Sequence, residues 1–357
     1  MPAIHQFVAG LARGDAISNE ALVMRRIFRG WGYAAEIFCE SRYTPPDLRP
    51  ETCAVEEAPG RCGADDIALL HLSMGSRVND VFRGLSCRKA LLYHNVTPPQ
   101  YFRIVQPSTA RDLDLGRQQV RALAGVAAVN LADSRFNASE LEAAGYRDVA
   151  VLPLILDFGS LEAAPDRRLL AEYADGKVNV LFVGRGAPNK KLEDVVLAFA
   201  ALQKYVCRDS RLIHVGSFMG TERYYHALVA MVRELQLEDV VFAGSVPQAA
   251  LNACYRAAHV FLCMSEHEGF CIPLVEAMIH RVPVMAYAAA AVPETLDGAG
   301  ILFHGKSYET VAEMIGRVVA PGPFREAVLA GQQARLERFR RRDTDAELRR
   351  HLAPLLG

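Results

Sequence analysis

Short apolar runs alternate with amphipathic stretches along the whole chain. Each run is four to six residues long and rich in aliphatic side chains, as are the buried strands of parallel sheets. The stretches between them favour helices, and this alternation predicts parallel α/β architecture. The predicted strands of the first half are residues 4–9, 34–38, 67–72, 89–94, 127–132 and 149–154.

The pattern breaks after residue 153, where turn-forming and then charged residues precede a second series of strands. The predicted strands of this series are residues 179–183, 211–215, 240–243, 260–264 and 282–287. Two consecutive Rossmann-like domains joined by a linker explain both series. We predict these domains over residues 1–157 and 158–335, with a helix over residues 336–357 that packs back toward the first domain.

Composition excludes several classes of protein. The 357 residues are 51% hydrophobic and 23% charged, which suits a globular protein with more than one core. The formal net charge is −1, so nothing indicates a nucleic-acid partner. The sequence has no apolar stretch of about 20 residues and no cleavable signal pattern. We therefore expect a cytoplasmic protein whose eight cysteines are reduced.

Glycine and proline interrupt the chain directly after the fourth predicted strand of the second domain. Glu268 lies in this loop and Glu276 in the helix that follows, with seven residues between them. The first N–H groups of a helix are unpaired and bind anions, so Gly269, Phe270 and Cys271 are candidates to contact phosphate. The arrangement suits a nucleoside diphosphate, with its ribose near one of the glutamates.

A second glycine turn follows the first predicted strand of the same domain. Gly184 and Arg185 come directly after that strand, and Lys190 stands just before the next predicted helix. Ligands bind at the carboxyl ends of strands in open parallel sheets, so both basic side chains are expected at the ligand edge. A guanidinium grips phosphate oxygens in a planar fork and an ammonium adds a compact charge, which suits a diphosphate leaving group.

Together, these two segments resemble the retaining, nucleotide-sugar-dependent glycosyltransferases of family four, which have the two-domain GT-B fold. That family shares two glutamates with seven residues between them, Gly-Phe after the first glutamate, and a Gly-Arg…Lys grip on phosphate. The matching residues are Glu268, Gly269, Phe270, Glu276, Gly184, Arg185 and Lys190. The resemblance implies two Rossmann-like domains that face a cleft. Cys271 departs from it, because the wider family often has a second glycine there.

Three segments of the first domain resemble one branch of the same family. They are Gly14-Asp15-Ala16-Ile17, Tyr93-His94-Asn95 with Thr97-Pro98, and Asp133-Ser134-Arg135-Phe136-Asn137. In that branch the strand-end histidine reaches the donor sugar, so the resemblance implies this role for His94. It also places Gly14 and Asp15 in a ligand-binding loop. A purely structural role is the alternative for His94, and it is the one expected for His71.

The resemblance also implies roles for the second domain. Arg185 and Lys190 neutralise the diphosphate as the glycosidic bond breaks, and Glu276 accepts hydrogen bonds from the ribose. Glu268 contacts sugar hydroxyls or stabilises the positive charge that develops at the anomeric carbon. Val246, in the turn after predicted strand 240–243, is expected to contact the base.

Two patterns have the spacing of metal ligands but lie in segments unsuited to a metal site. Asp112 and Asp114 spell D-x-D, the metal clamp of another glycosyltransferase fold, but they lie in a predicted helix. Cys263, His267 and Cys271 are spaced four apart but span a strand end and a loop. Because basic residues do the neutralising, we expect no essential metal and no cofactor besides the UDP- or GDP-linked donor substrate.

The sequence thus predicts a retaining transferase that moves a sugar to an acceptor hydroxyl in polysaccharide, glycolipid or glycosylated natural-product biosynthesis. The alternatives are a phosphorylase or epimerase of the same fold, or a catalytically inert protein that binds nucleotide sugars. Basic and apolar residues over 23–31 leave open a weak peripheral contact with the inner face of a membrane. The sugar, the nucleotide, the acceptor (carbohydrate, glycolipid or small molecule) and the oligomeric state are left open.

Overall fold

A computed structural model describes residues 2–356, which form two compact units, each built on one parallel sheet. Among these residues, the first unit comprises 2–100, 108–157 and 342–356, and the second comprises 101–107 and 158–341. The chain leaves the second unit at residue 341 rather than at the predicted 335, because one helix continues unbroken to Arg340. No helix among the described residues is both long and apolar enough to cross a membrane.

Up to residue 157, the described chain forms the seven strands and the first five α-helices of the first unit. The strands are β1 (Ile4–Val8), β2 (Ile37–Cys39), β3 (Cys53–Ala54), β4 (Ile67–Leu72), β5 (Arg88–Tyr93), β6 (Val129–Ala132) and β7 (Val149–Val151). The helices are α1 (Ala16–Gly30), α2 (Ala58–Arg61), α3 (Arg77–Gly84), α4 (Pro107–Ala122) and α5 (Arg135–Ala143). The sheet order is β3-β2-β1-β4-β5-β6-β7. Six strands lie where the sequence predicts them, and β3 was not predicted.

The second unit has six strands and nine α-helices. The strands are β8 (Val178–Val183), β9 (Ser210–Val215), β10 (Val240–Phe242), β11 (Val260–Cys263), β12 (Val284–Tyr287) and β13 (Ile301–Phe303). The helices are α6 (Phe158–Leu161), α7 (Arg167–Glu172), α8 (Leu192–Tyr205), α9 (Glu222–Glu234), α10 (Gln248–Ala257), α11 (Ile272–Ile279), α12 (Val292–Leu296), α13 (Tyr308–Val319) and α14 (Pro323–Arg340). The sheet order is β10-β9-β8-β11-β12-β13. Only the edge strand β13 was not predicted.

The final helix, α15 (Thr344–Leu356), belongs to the first unit, as predicted. Leu348, Leu352 and Leu355 are buried in the same core cluster as residues of β4, β5 and β6. At the edge of this cluster, Trp31 donates a hydrogen bond from Nε1 to Asp345 at 2.8 Å. Helix α15 is therefore part of the core of the unit in which the chain begins.

Each sheet grows outward in two directions from a strand near its centre. In the second sheet, β8 lies between β9 and β11, so the chain reverses its direction of growth between β8 and β11. Ligands bind beyond the carboxyl ends of parallel strands at such a switch point. The loops that follow β8 and β11 are the two in which the sequence predicts phosphate-binding and glutamate residues.

We predict that Leu352→Ala lowers the free energy of unfolding of the first unit by about 2–5 kcal/mol, because it leaves a cavity in a packed core. Thermal and denaturant unfolding of the full chain measure this. Arg350→Ala, at an exposed position of the same helix, is the control. Equal stability of the two variants would show that α15 does not support the core.

Candidate functional site

The loops after β8 and β11 are held together by Asn189. This residue lies in a 3₁₀ turn, Pro188–Lys190, and is buried. Its carbonyl accepts a hydrogen bond from the N–H of Glu266 at 2.9 Å, and its Nδ2 donates to the carbonyl of His267 at 3.0 Å. Asn189 therefore fixes the register of the two loops, and the residues on either side of it are brought face to face.

The consequence is a largely buried ion pair between Lys190 and Glu268. The distance from Lys190 Nζ to Glu268 Oε2 is 2.5 Å, and the two side chains are only 20% and 9% exposed. Burial opposes the positive charge of Lys190, but the carboxylate of Glu268 outweighs it and raises the pKa of the lysine. The sequence predicted both residues for one site, and the structure places them in contact.

Arg185 lies on the neighbouring loop, at the same edge of the sheet. The N–H of Gly184 bonds to the carbonyl of Val215 at 2.9 Å, so the loops after β8 and β9 run side by side. A Cβ on Gly216 would lie 1.9 Å from the Gly184 oxygen, so only glycine permits this approach. Arg185 is exposed, and its guanidinium donates to the carbonyl of Met219 at 3.1 Å. Its remaining N–H groups are available to an anion.

The carbonyl of Gly184 is also bound by His214, which is fully buried on β9. His214 Nε2 lies 2.9 Å from this oxygen and must therefore carry a proton, whereas its Nδ1 has no partner. Burial lowers the pKa of His214 to about 4, because a second proton on Nδ1 would be buried without an acceptor. The turn at Gly184 is thus held by a hydrogen bond from the neutral imidazole of His214.

Glu276 lies in the first turns of α11 and is buried. Tyr255 donates its hydroxyl proton to Glu276 Oε2 at 2.6 Å, and burial raises the pKa of the glutamate. Tyr255 orients this carboxyl group, and sequence reasoning missed it because it lies 21 positions away with no motif around it. Val246 is half-buried in the loop after β10.

Cys271 is the residue that precedes α11. Its φ and ψ angles are 72° and 67°, in the left-handed region that glycine adopts most readily. Glycine would adopt this conformation without strain, whereas a cysteine is strained there. The preceding loop is anchored by Thr295, whose hydroxyl donates to the carbonyl of Phe270 at 2.5 Å. Gly269 and Phe270 complete the connection from Glu268 to the helix.

A cluster of charges beside this site was not predicted from sequence. Lys306 Nζ contacts Asp194 Oδ2 at 2.6 Å and Glu266 Oε1 at 2.9 Å, and it lies 4.5 Å from the centre of the Tyr287 ring. These residues come from four separate parts of the chain, so no spacing in the sequence relates them. Lys306 is fully engaged with its acidic partners, which distinguishes it from Arg185.

In the first unit, His94 lies directly after β5 and is buried. Gln6 donates from Nε2 to the carbonyl of Ala21, so its Oε1 accepts the Nε2 proton of His71 at 2.9 Å. His71 Nδ1 must then accept from His94 Nε2, also at 2.9 Å. Both ring nitrogens of His94 face protein groups, because Nδ1 lies 3.4 Å from the Asp133 carboxylate. Its contact with a donor sugar stays a prediction.

The charge of His94 follows from this arrangement. Burial disfavours the imidazolium, but contact with Asp133 and the nearby carboxylate of Glu20 outweigh it and raise the pKa of His94. Burial lowers the pKa of His71 well below its usual value. The proton between the two rings therefore belongs to His94.

The segment that begins at Tyr93 and the segment Asp133–Asn137 are joined by hydrogen bonds. Asn95 Nδ2 donates to Asn137 Oδ1 at 2.7 Å and to Glu140 Oε2 at 2.9 Å, and Tyr93 also donates to Glu140. Asn137 in turn donates to Asp133. Residues that lie 42 to 47 positions apart in sequence thus form one largely buried network around the end of β5.

Gly14 and Asp15 are exposed in the loop that follows β1. Asp15 is the N-cap of α1 and accepts from the N–H of Ser18 at 2.9 Å, while Gly14 has a φ of 71°. This capping accounts for Asp15 structurally. Its predicted role in ligand binding is not tested by these contacts.

Among residues 2–356, two buried groups place three metal-ligand atoms within 4.8 Å of one another: Glu20, His71 and His94, and Cys263, Glu268 and Cys271. The rings of His71 and His94 lie within 3° of coplanar, with centroids 5.2 Å apart. Their nitrogens therefore point at each other, as a hydrogen bond requires. The second group contains Cys263 and Cys271, the two cysteines of the pattern spaced four apart. Its third member is Glu268 and not His267.

Comparison with known proteins relates the second unit to a large family. Residues 171–337 match the family described as glycosyl transferases group 1. Over 197 residues the chain is 34% identical to a D-inositol 3-phosphate glycosyltransferase of Kineococcus radiotolerans, covering 52% of this chain and 45% of that relative. Over 129 residues it is 36% identical to a GDP-mannose-dependent alpha-mannosyltransferase of Mycolicibacterium smegmatis, covering 36% of this chain and 30% of the relative. The chain therefore spans less than half the length of either relative.

The fold is shared over the whole chain with solved structures. Anabaena Alr3699/HepE in complex with UDP-glucose has a TM-score of 0.72 and 16% sequence identity, and the match covers 99% of both chains. This likeness, together with the two parallel-sheet units, confirms the predicted GT-B fold.

The buried His214 predicts a pH dependence of stability. Its pKa is about 4 in the folded chain and near the ordinary histidine value of 6.5 when unfolded, so the unfolded state binds more protons between these values. Stability is therefore lost as pH falls through this window, by about 2 kcal/mol between pH 7.5 and pH 5.

We expect His214→Gln, which keeps a donor for Gly184, to lose less stability over that pH range than the wild type. Thermal midpoints at the two pH values measure the difference, and His226→Gln at an exposed position of α9 is the control. An identical pH dependence in all three proteins would contradict a neutral buried His214.

Proposed function

We propose that the chain transfers a sugar from a nucleoside-diphosphate donor to an acceptor hydroxyl, on the match of residues 171–337 to the group 1 glycosyl transferases. The acceptor class is a carbohydrate, a glycolipid or a small molecule. We extend the proposal to transfer with retention of anomeric configuration, on the resemblance of the two-glutamate segment to family four. The donor nucleotide is UDP or GDP, the two that the names of the similar proteins include.

The observation that carries this proposal is the contact between Lys190 and Glu268 at the switch point of the second sheet. A lysine kept charged inside a largely buried site suits the binding of an anion that is also withdrawn from water. Such preorganised charge contributes most to catalysis where negative charge develops in the transition state. The leaving diphosphate of a nucleotide sugar develops that charge.

Arg185 provides the second positive charge of the proposed phosphate site. Its exposed guanidinium is attached by one hydrogen bond to Met219, which leaves the planar fork free for phosphate oxygens. The backbone N–H groups around Gly269 and Cys271, before α11, add donors at the positive end of a helix dipole. With these charges in place, the proposed reaction needs no essential metal.

Glu276 is proposed to bind the ribose. Tyr255 occupies one carboxylate oxygen at 2.6 Å, and the carboxylate has further acceptor positions for two neighbouring hydroxyls. Val246, on the loop after β10, is proposed to contact the base. Glu268 is proposed to contact the donor sugar once the ammonium of Lys190 turns toward phosphate.

We predict that Lys190→Ala and Glu268→Ala each reduce turnover by roughly 10²–10³-fold, the cost of removing one preorganised electrostatic group. Release of nucleotide from UDP- and GDP-sugars, with magnesium and with EDTA, measures this, and NMR of the product gives its anomeric configuration. Lys177→Ala, which breaks an ion pair with Asp239 elsewhere in the unit, is the matched control. Near-wild-type rates in both site variants would refute the assignment.

Glu276→Gln is expected to raise the donor KM by roughly 10–100-fold with a smaller change in kcat, because a hydrogen bond to a charged group is lost in substrate and transition state alike. Isothermal titration with whichever of UDP and GDP stabilises the wild type measures the binding directly. Tyr255→Phe, which removes only the orienting hydroxyl, should show a smaller change in the same direction. Unchanged nucleotide affinity in Glu276→Gln would exclude the ribose role.

A further inference from the structure

Two cysteines meet beside the loop proposed to bind the donor phosphates. Cys263 is the last residue of β11, and Cys271 immediately precedes α11. Their sulfur atoms lie within 4.8 Å of each other and of a carboxylate oxygen of Glu268. Cys263 is completely buried and Cys271 is 8% exposed, so the second is the more accessible thiol. All eight cysteines of the chain are in the free thiol form.

The backbone at Cys271 gives no reason for a cysteine. Its φ of 72° favours glycine, and a backbone N–H for phosphate is available from any residue but proline. What cysteine adds is a sulfur atom close to Cys263. Contact with Cys271 lowers the pKa of the Cys263 thiol, whereas contact with Cys263, burial and the Glu268 carboxylate raise the pKa of Cys271 well above its usual value. Cys263 is therefore the better proton acceptor of the pair, and Cys271 is the sulfur that an oxidant reaches.

We propose that Cys263 and Cys271 form an oxidation-sensitive dithiol, which a hydroperoxide converts to a disulfide that weakens donor binding. The sulfur of Cys271 attacks the peroxide oxygen as its proton passes to the sulfur of Cys263, the O–O bond breaks, and the departing oxygen takes a proton, leaving a sulfenic acid on Cys271. The sulfur of Cys263 then attacks the sulfur of Cys271, and the sulfenic oxygen leaves as water. In sum, two thiols are oxidised and one hydroperoxide is reduced to an alcohol, or water, and a second water.

The loss of binding follows from the distance that must close. A disulfide holds its sulfur atoms about 2.05 Å apart, so Cys271 must be drawn toward the end of β11. The loop of residues 264–270 and the start of α11 must move with it. This loop and helix carry Glu268 and the N–H groups proposed to bind the donor. The predicted loss of donor binding therefore rests on the proposed function, whereas disulfide formation does not.

The experiment treats the reduced full-length chain with one equivalent of hydrogen peroxide, alkylates the remaining thiols and maps the peptides by mass spectrometry. We expect a peptide pair linked through Cys263 and Cys271, which dithiothreitol separates. Cys263→Ser should give no such link. Cys207→Ser, at a half-buried thiol after α8, should form it as the wild type does.

The dissociation constant of UDP or GDP is then compared before and after oxidation of each protein. We expect at least a roughly tenfold loss of affinity in the wild type, reversed by dithiothreitol, and an oxidised-to-reduced ratio near one in Cys271→Gly. Absence of the linked peptides would overturn the dithiol, even if nucleotide binds normally. Linked peptides with unchanged affinity would overturn its effect on the donor. Linked peptides in a chain whose reduced form binds no nucleotide would support the dithiol and refute the proposed function.

Discussion

The candidate site depends on one interaction, the largely buried contact between the ammonium of Lys190 and the carboxylate of Glu268. Removing either charge from water is costly, so each is tolerated only because the other is held within hydrogen-bonding distance. That placement follows from the sheet, because β8 and β11 pair directly in parallel and their carboxyl ends meet at one edge. Asn189 then links the two loops through one backbone and one side-chain hydrogen bond. The strand order therefore brings the two loops together, Asn189 joins them, and the ion pair forms as a result.

Much of the architecture was predictable because buried parallel strands leave a continuous apolar run in the sequence. Eleven predicted strands correspond to observed ones. The two that were missed, β3 and β13, are edge strands of two and three residues, too short to establish a periodicity. The boundary at residue 341 was missed for a related reason. Helix α14 continues past the predicted boundary, and no glycine or proline marks where it ends.

The site was predictable only where its residues stand next to strand ends. Lys190 and Glu268 satisfy that condition, and the geometry of an open sheet then brings their loops together. Tyr255, Asn189 and Lys306 act through partners 21, 78 and 112 positions away, and no local pattern encodes such pairs. In the first unit the motif segments lie beside strand ends, but the sequence does not indicate which groups their side chains contact. The ring nitrogens of His94 face His71 and Asp133, which only the three-dimensional arrangement reveals.

Cys271 shows how one position can carry two separate physical roles. Its backbone takes a left-handed conformation as the chain enters α11, and glycine would do this at least as well. Its side chain instead points to a neighbour on a strand, beside the one ion pair on which the site depends. A change at the sulfur atom is therefore transmitted to the loop by covalent geometry rather than through a long series of contacts. The short segment proposed to bind an anion through its backbone atoms is therefore also the segment that a disulfide between these two thiols would displace.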